Sequence, residues 1–359
     1  MHTKVTKDAF IGQEIFVGMD VHKKDFKVSV IAGGVFYKTF TCPADGGNVV
    51  SYLKANFPGA VYNSAYEAGF SGFWLHKQLT GLGINSIVVN PADIPTTDKE
   101  RKQKEDRRDS RKLAKDLYAG QLSGIYVPDD EALGDRSLLR GRESVVREVR
   151  RFKQRIKSFL YFNGIKFPKH FAEETNHWSK HFINWLESIP FAHESAKQAL
   201  QIHIDSLNHE RELLLQVTRH IRNLSRSNHY KHLVEALISV PGIGMLTAMY
   251  ILTELVDISR FKNFHHLCSY VGFVPSTDSS GENDRSTGIT PRKNPRLRSA
   301  LIESAWTAIR CDPALLRSYL SYAKRMEKNK AIVRIAKKLL NRAVHVLLKN
   351  EKYEKNIVK

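Results

Sequence analysis

Apolar and polar positions along the first ninety or so residues fall into short runs separated by turn residues. IFVGMDVH (15–22) is apolar up to Asp20, the pattern of a buried strand, and FKVSVI (26–31) alternates. Gly33-Gly34 signals a hairpin turn from which VFYKTF (35–40) returns as a third strand. VVSYLKANF (49–57) has helical spacing, and AVYNSAYE (60–67) is strand-like and ends at Glu67. GFWLHKQLTGLG (72–83) reads as a helix with a glycine stop, and SIVVN (86–90) as a short strand closed by Pro91. Residues 92–105 read as a polar loop, and KQKEDRRDSRKLAKDLYAG (102–120) as a basic helix.

Beyond this point the period becomes helical. VPDDEALGD (127–135) reads as a boundary, and residues 138–163 as a strongly basic helix. In 195–224, Leu200, Ile204, Leu207, Arg211, Leu214, Thr218 and Ile221 follow a 4-3-4-3-4-3 spacing, a coiled-coil seam with two polar defects. Its partner is either the 138–163 helix or another copy of the chain. LISVPGIGMLTAMYILTEL (237–255) places Pro241-Gly242-Ile243-Gly244 between two apolar helical stretches. The turn resembles a helix-hairpin-helix, in which Gly242 and Gly244 would free backbone N–H groups for a phosphate, and it also fits a plain helix–helix turn. Residues 268–300 read as a loop rich in Ser, Gly, Pro and Asp, and a basic amphipathic helix with a lysine-rich tail follows past 320. These shifts divide the chain into 1–135, 136–235, 236–320 and 321–359.

Charge narrows the partners. The 359 residues carry 56 Lys and Arg against 37 Asp and Glu, a net charge of +19. Such an excess suits a dense line of phosphates. No apolar run approaches the roughly 20 residues that span a membrane, and MHTKVTKDAF lacks the apolar centre of a signal peptide, so the expected location is cytoplasmic. The three cysteines form no CxxC pair, which points to neither a zinc site nor a disulfide framework.

The element order, three meandering strands and then α, β, α, β, α, is that of a mixed α/β sheet covered on both faces. The ribonuclease H-like fold has this order, with catalytic acids on its first strand, fourth strand and last helix. Asp20 lies on the first strand, Glu67 ends the fourth, and Asp106 and Asp109 share one face of the basic helix at i and i+3. A carboxylate in an apolar strand is expensive unless paired or bound to a cation. Carboxylates converging from three elements repel one another, and two Mg²⁺ ions would remove that repulsion while leaving positions for phosphate oxygens. The arginines between Asp106 and Asp109 should then turn away from the acids.

The chain resembles the DEDD transposases of bacterial insertion sequences, the group that includes Piv-like DNA invertases. VGMDVHKKDFKVSVI (17–31) looks like the first acidic motif, YEAGFSGFWLHKQL (66–79) the second, and EDRRDSRKLA (105–114) the third and fourth. In the last, Glu105 and Ser110 replace the more usual Thr and Ala. SVPGIGMLTAMYILTEL (239–255) and YVGFVPSTDSSGENDRSTGITPRKNPRLRSALIESAW (270–306) look like the C-terminal transposase domain, with Pro291-Arg292-Lys293-Asn294 in place of a lysine-arginine-glycine. The resemblance implies α/β plus α: a RuvC-like domain binding Mg²⁺ through Asp20, Glu67, Asp106 and Asp109, a helical coiled-coil region, and a mostly helical transposase domain. It implies a serine nucleophile at Ser280, with Ser279 adjacent, that forms a covalent phosphoserine link to DNA. It further implies dimers or tetramers, donor and target DNA as substrates, and a structured non-coding guide RNA, in a cytoplasmic, nucleoid-associated setting. Arg285, Arg292, Lys293, Arg296 and Arg298 are the cations expected to hold the scissile phosphate. A RuvC-like junction nuclease using metal-activated water is the alternative, and a non-catalytic nucleic-acid-binding protein with structural acids is a third.

Overall fold

A computed structural model describes residues 10–95, 106–171, 173, 177–280, 283–290 and 292–354, with backbone alone at 106–108, 276–280 and 283–289. The chain divides into two compact units, Met1–Val127 and Pro128–Lys359.

The first unit is built on five strands: β1 (Glu14–Val21), β2 (Asp25–Ala32), β3 (Val35–Pro43), β4 (Val61–Glu67) and β5 (Asn85–Val89). Their order is β3-β2-β1-β4-β5, with β1 antiparallel to β2, β2 antiparallel to β3, and β1, β4 and β5 parallel. This is the mixed sheet expected of a ribonuclease H-like domain. Alternation sorts the side chains. Ile15, Val17 and Met19 of β1, with Tyr62 and Tyr66 of β4, enter one buried cluster with Val49 and Leu53 of α1 (Gly46–Asn56) and Leu75 and Leu79 of α2 (Trp74–Gly81). Phe16, Gly18 and Asp20 therefore face the other way, toward α3 (Asp106–Tyr118).

The second unit is mostly helical. Asp129 caps the helix α4 (Asp130–Phe162), accepting from the Ala132 N–H at 2.7 Å. This helix starts inside the stretch expected as a boundary, because Asp129 is its cap and Asp130 and Glu131 occupy the favourable first turn. Past the short α5 (Lys180–Ser188), the helix α6 (Glu194–Leu224) runs back along α4. The seam Leu200, Ile204 and Leu207 is buried with Val149, Ile156 and Leu160 of α4, so the partner is within the chain. Both polar seam positions are satisfied: Thr218 Oγ1 accepts from Arg142 Nε at 3.0 Å, and Arg211 donates to the Trp178 carbonyl at 3.1 Å.

A larger cluster joins α7 (Lys231–Ile238), α8 (Met245–Leu255), α9 (Phe264–Val271), α10 (Pro295–Cys311), α11 (Pro313–Ala323) and α12 (Lys328–Lys349) with Leu139 of α4 and Ile221 of α6. The sequence-drawn borders at 135, 235 and 320 fall within α4, α7 and α11 respectively. Between α9 and α10, the stretch expected to be all loop holds a hairpin, β6 (Pro275–Ser280) and β7 (Asn283–Ile289). Its strand residues are polar apart from Pro275, Gly288 and Ile289, so no hydrophobic alternation announces it.

Candidate functional site

The register of β1 and β4 decides where the first two acids stand. Met19 pairs with Tyr66, and one residue further on each strand lie Asp20 and Glu67. Neighbouring strands run about 4.8 Å apart. The two acids thus end adjacent strands on the sheet face opposite the Met19–Tyr66 core. Glu67 is exposed, and Asp20 is partly buried with its Oδ2 3.2 Å from Nε2 of His22.

Helix α3, which carries the other two, packs along the same sheet face. Tyr118 stacks edge-on against Phe16, ring centroids 5.3 Å apart, while the Ser110 carbonyl and Ala114 amide lie against Gly18. A Cβ on Gly18 would overlap both, so the absence of a side chain is what lets the helix lie on the strand. Going up α3 from Tyr118 to Ser110 therefore follows β1 from Phe16 to Gly18. Continuing, the first turn of α3, with Asp109 and the backbone of Asp106, runs toward the level of Asp20. The Ser110 hydroxyl fixes this placement. It hydrogen-bonds Ser29 Oγ at 2.9 Å, and Ser29 bonds Thr39 Oγ1 at 2.7 Å, across β2 to β3. Asp109 is partly buried; the side chains of Asp106, Arg107 and Arg108 lie outside the described residues, as does Glu105. Among the described residues no three His, Cys, Asp or Glu side chains stand together as a metal-holding group. The donors this strand end offers, carboxylate oxygens, are those a hard divalent cation takes.

In the second unit, Ser280 is the last residue of β6, paired with Asn283, and Ser279 pairs with Asp284. The side chains of both serines and of Arg285 lie outside the described residues. Arg292 and Lys293 are exposed. Arg296 is engaged by Glu143 of α4 at 2.5 Å, and Arg298 is half-buried, which pulls its pKa down. Gly242 has φ +91°, and a Cβ there would lie 2.6 Å from the Ser304 carbonyl of α10. Its small size is thus needed for helix packing. Gly244 is exposed at the N-cap of α8.

A residue absent from the sequence-derived set is Glu254, 1% exposed in the last turn of α8. Arg140 of α4 meets it with two parallel bonds of 3.0 Å. The available signal was a carboxylate inside the apolar run MLTAMYILTEL. His22, whose ring nitrogen stands 3.2 Å from the Asp20 carboxylate, is likewise outside that set.

Comparison with known proteins fits this geometry. A family model described as "Transposase IS116/IS110/IS902 family" matches residues 234–321, and a DEDD transposase model of the same elements matches 17–163. A putative transposase (y4qE) of Sinorhizobium fredii is 31% identical over 301 residues, 82% of this chain and 72% of that one. The chain belongs to the IS110/IS116 family of transposases. The transposase for insertion sequence element IS1533 of Leptospira borgpetersenii is 27% identical over 82% of this chain and 85% of its own. The pilin gene-inverting protein of Moraxella bovis is 29% identical over 45% of this chain and 53% of its own. This insertion-sequence transposase thus carries its DEDD match over the strand-and-helix acids and its second match over the serine hairpin. A DEDD domain points to dependence on a divalent metal. No helix among the described residues is long and apolar enough to cross a membrane.

Proposed function

We propose that this transposase cuts and rejoins DNA with two sets of residues. Asp20, Glu67, Asp106 and Asp109, in the 1–135 region, hold Mg²⁺, and Ser280 in the 236–320 region is the nucleophile. The observation that carries the reading is the strand register: the Asp20 and Glu67 positions lie side by side, on the sheet face along which α3, with Asp106 and Asp109 in its first turn, packs. When bound, Mg²⁺ would offset the repulsion among these carboxylates and the charge of a phosphodiester.

In the strand-breaking step, Ser280 Oγ attacks phosphorus. The Oγ–P bond forms, one bridging P–O bond breaks, and that oxygen leaves as a strand hydroxyl, taking up a proton. Rejoining is the reverse, with a hydroxyl of the partner strand attacking the phosphoserine and returning the serine to its free form. Serine is a weak nucleophile near neutral pH, so its proton must be drawn off as it attacks. The exposed Arg292 and Lys293 supply positive charge for the phosphate. Donor and target choice falls to a structured guide RNA, which base pairing reads, while the basic surface reads backbone and shape. The working form is a dimer or tetramer in the cytoplasm, beside the nucleoid.

The test is to sequence the nucleic acid that co-purifies with the full chain, then to incubate protein, that RNA and matching donor and target DNA with Mg²⁺. A discrete structured RNA, with a denaturant-resistant protein–DNA adduct lost in Ser280→Ala, is the expected result. DNA cut without adduct, equally by Ser279→Ala and Ser280→Ala, overturns the serine step and leaves a metal-dependent junction nuclease.

A further inference from the structure

The buried carboxylate of Glu254 stands outside both sets of residues above. Burial pushes its pKa up, but the hydrogen bonds from Arg140 and Asn294 and the charges of Arg140 and Arg136 outweigh this and hold it below the usual carboxylate range. It is an anion sealed among its partners, and its partners have a common location. Asn294 donates from Nδ2 to Glu254 Oε2 at 2.9 Å while its Oδ1 caps α10 by accepting from the Leu297 N–H at 3.1 Å. The Asn294 N–H donates to the Tyr270 carbonyl at 2.9 Å, and the Tyr270 hydroxyl donates to the Glu254 carbonyl at 3.1 Å. The Thr290 N–H reaches the Val274 carbonyl at 3.2 Å. The chain entering the β6–β7 hairpin and the chain leaving it are therefore tied to each other and to one residue, Glu254, the entering chain through its backbone carbonyl and the leaving chain through its carboxylate. Arg140 ties that carboxylate in turn to α4.

The hairpin needs such an anchor. Its strands hold only Pro275 and Ile289 as apolar side chains, so they carry too little apolar surface for a core of their own. Its placement is set at its base. We infer that Glu254 and Asn294 are positioning residues that hold the serine hairpin in register with helices α4 and α8 for attack on the phosphate. The inference rests on the reading of Ser280 as the nucleophile.

Asn294 makes the test clean because its two ends do different work. Asn294→Ser keeps an oxygen to cap α10, since serine caps as well as asparagine, but is too short to reach Glu254. Arg140→Lys keeps the charge and loses the paired bonds, leaving the cap untouched. The experiment follows adduct formation by the full chain with its RNA against DNA concentration, alongside melting temperature. The rate at saturating DNA should fall on the order of ten- to a hundredfold in both variants. The half-saturating DNA concentration should stay close to that of the unaltered protein, since the loss is in the reacting complex and not in binding, while the melting temperature falls by the few degrees that lost bonds to a buried carboxylate cost. Unaltered rates in both variants overturn the inference. So does a fall in DNA affinity large enough to account for the lost rate, which marks a purely structural clamp. An adduct that persists in the Ser279→Ala, Ser280→Ala double variant overturns the serine reading itself, and the inference with it; the double variant tells the two failures apart.

Discussion

A methyl group on residue 18 would collide with the backbone of α3 at Ser110 and Ala114. Gly18→Ala should therefore cost about 1–3 kcal/mol through overpacking, read as a lowered urea midpoint, and should lower DNA cleavage further by lifting the Asp109 turn from Asp20. Glu254 gives a pH prediction. Its folded pKa is depressed, so its contribution is full above the unfolded value of about 4.3 and fades as pH falls through the folded one. Between pH 5 and pH 3 the unaltered protein should lose stability faster than Glu254→Gln, whose side chain does not titrate. Glu254→Ala should cost about 3–5 kcal/mol, because it leaves the buried Arg136 and the half-buried Arg140 uncompensated. Among single residues, the sequence made Asp20 and Glu67 conspicuous, since a charge ending an apolar strand demands a reason. It marked Ser110 as a departure from the usual Ala but not what the hydroxyl does, which is to link to Ser29. It likewise showed Asn294 only as a departure from the lysine-arginine-glycine pattern, since its double use depends on a partner 40 residues away.

Helix α6 separates buried from exposed positions within a single element. Ile204 is fully buried against α4, so Ile204→Ala should cost about 2–5 kcal/mol; Leu215 is 59% exposed, and Leu215→Ala should stay within about 0.5 kcal/mol. Thermal melts of the two variants check the assignment, and equal shifts would mean another chain covers Leu215. The seam spacing was legible because a 4-3 repeat requires a partner, but spacing cannot say whose. Bonds such as Arg142 to Thr218 settle that it is α4. The five strands of the first unit were legible through alternation and turn residues, and their order through the meander followed by βαβ crossovers. The β6–β7 hairpin was not, because its pairing rests on backbone bonds between polar residues. The start of α4 was missed because an acidic cap and an acidic first turn, rich in turn-forming residues, look locally like a linker.

For the chain as a whole, the net charge of +19 predicts salt-sensitive binding. About six phosphate contacts would give a slope of about −5 in log affinity against log salt, and Arg292→Ala with Lys293→Ala should flatten it by about 2. Filter binding across a salt series measures both numbers. An unchanged slope would remove these two residues from the phosphate surface. The division after Val127 reaches further. Every member of the first unit's buried clusters lies before residue 128. A copy of the gene interrupted just past that codon would not encode debris. Its product would still carry every described apolar side chain that these clusters bury, and limited proteolysis of such a fragment should leave a resistant band if it folds by itself.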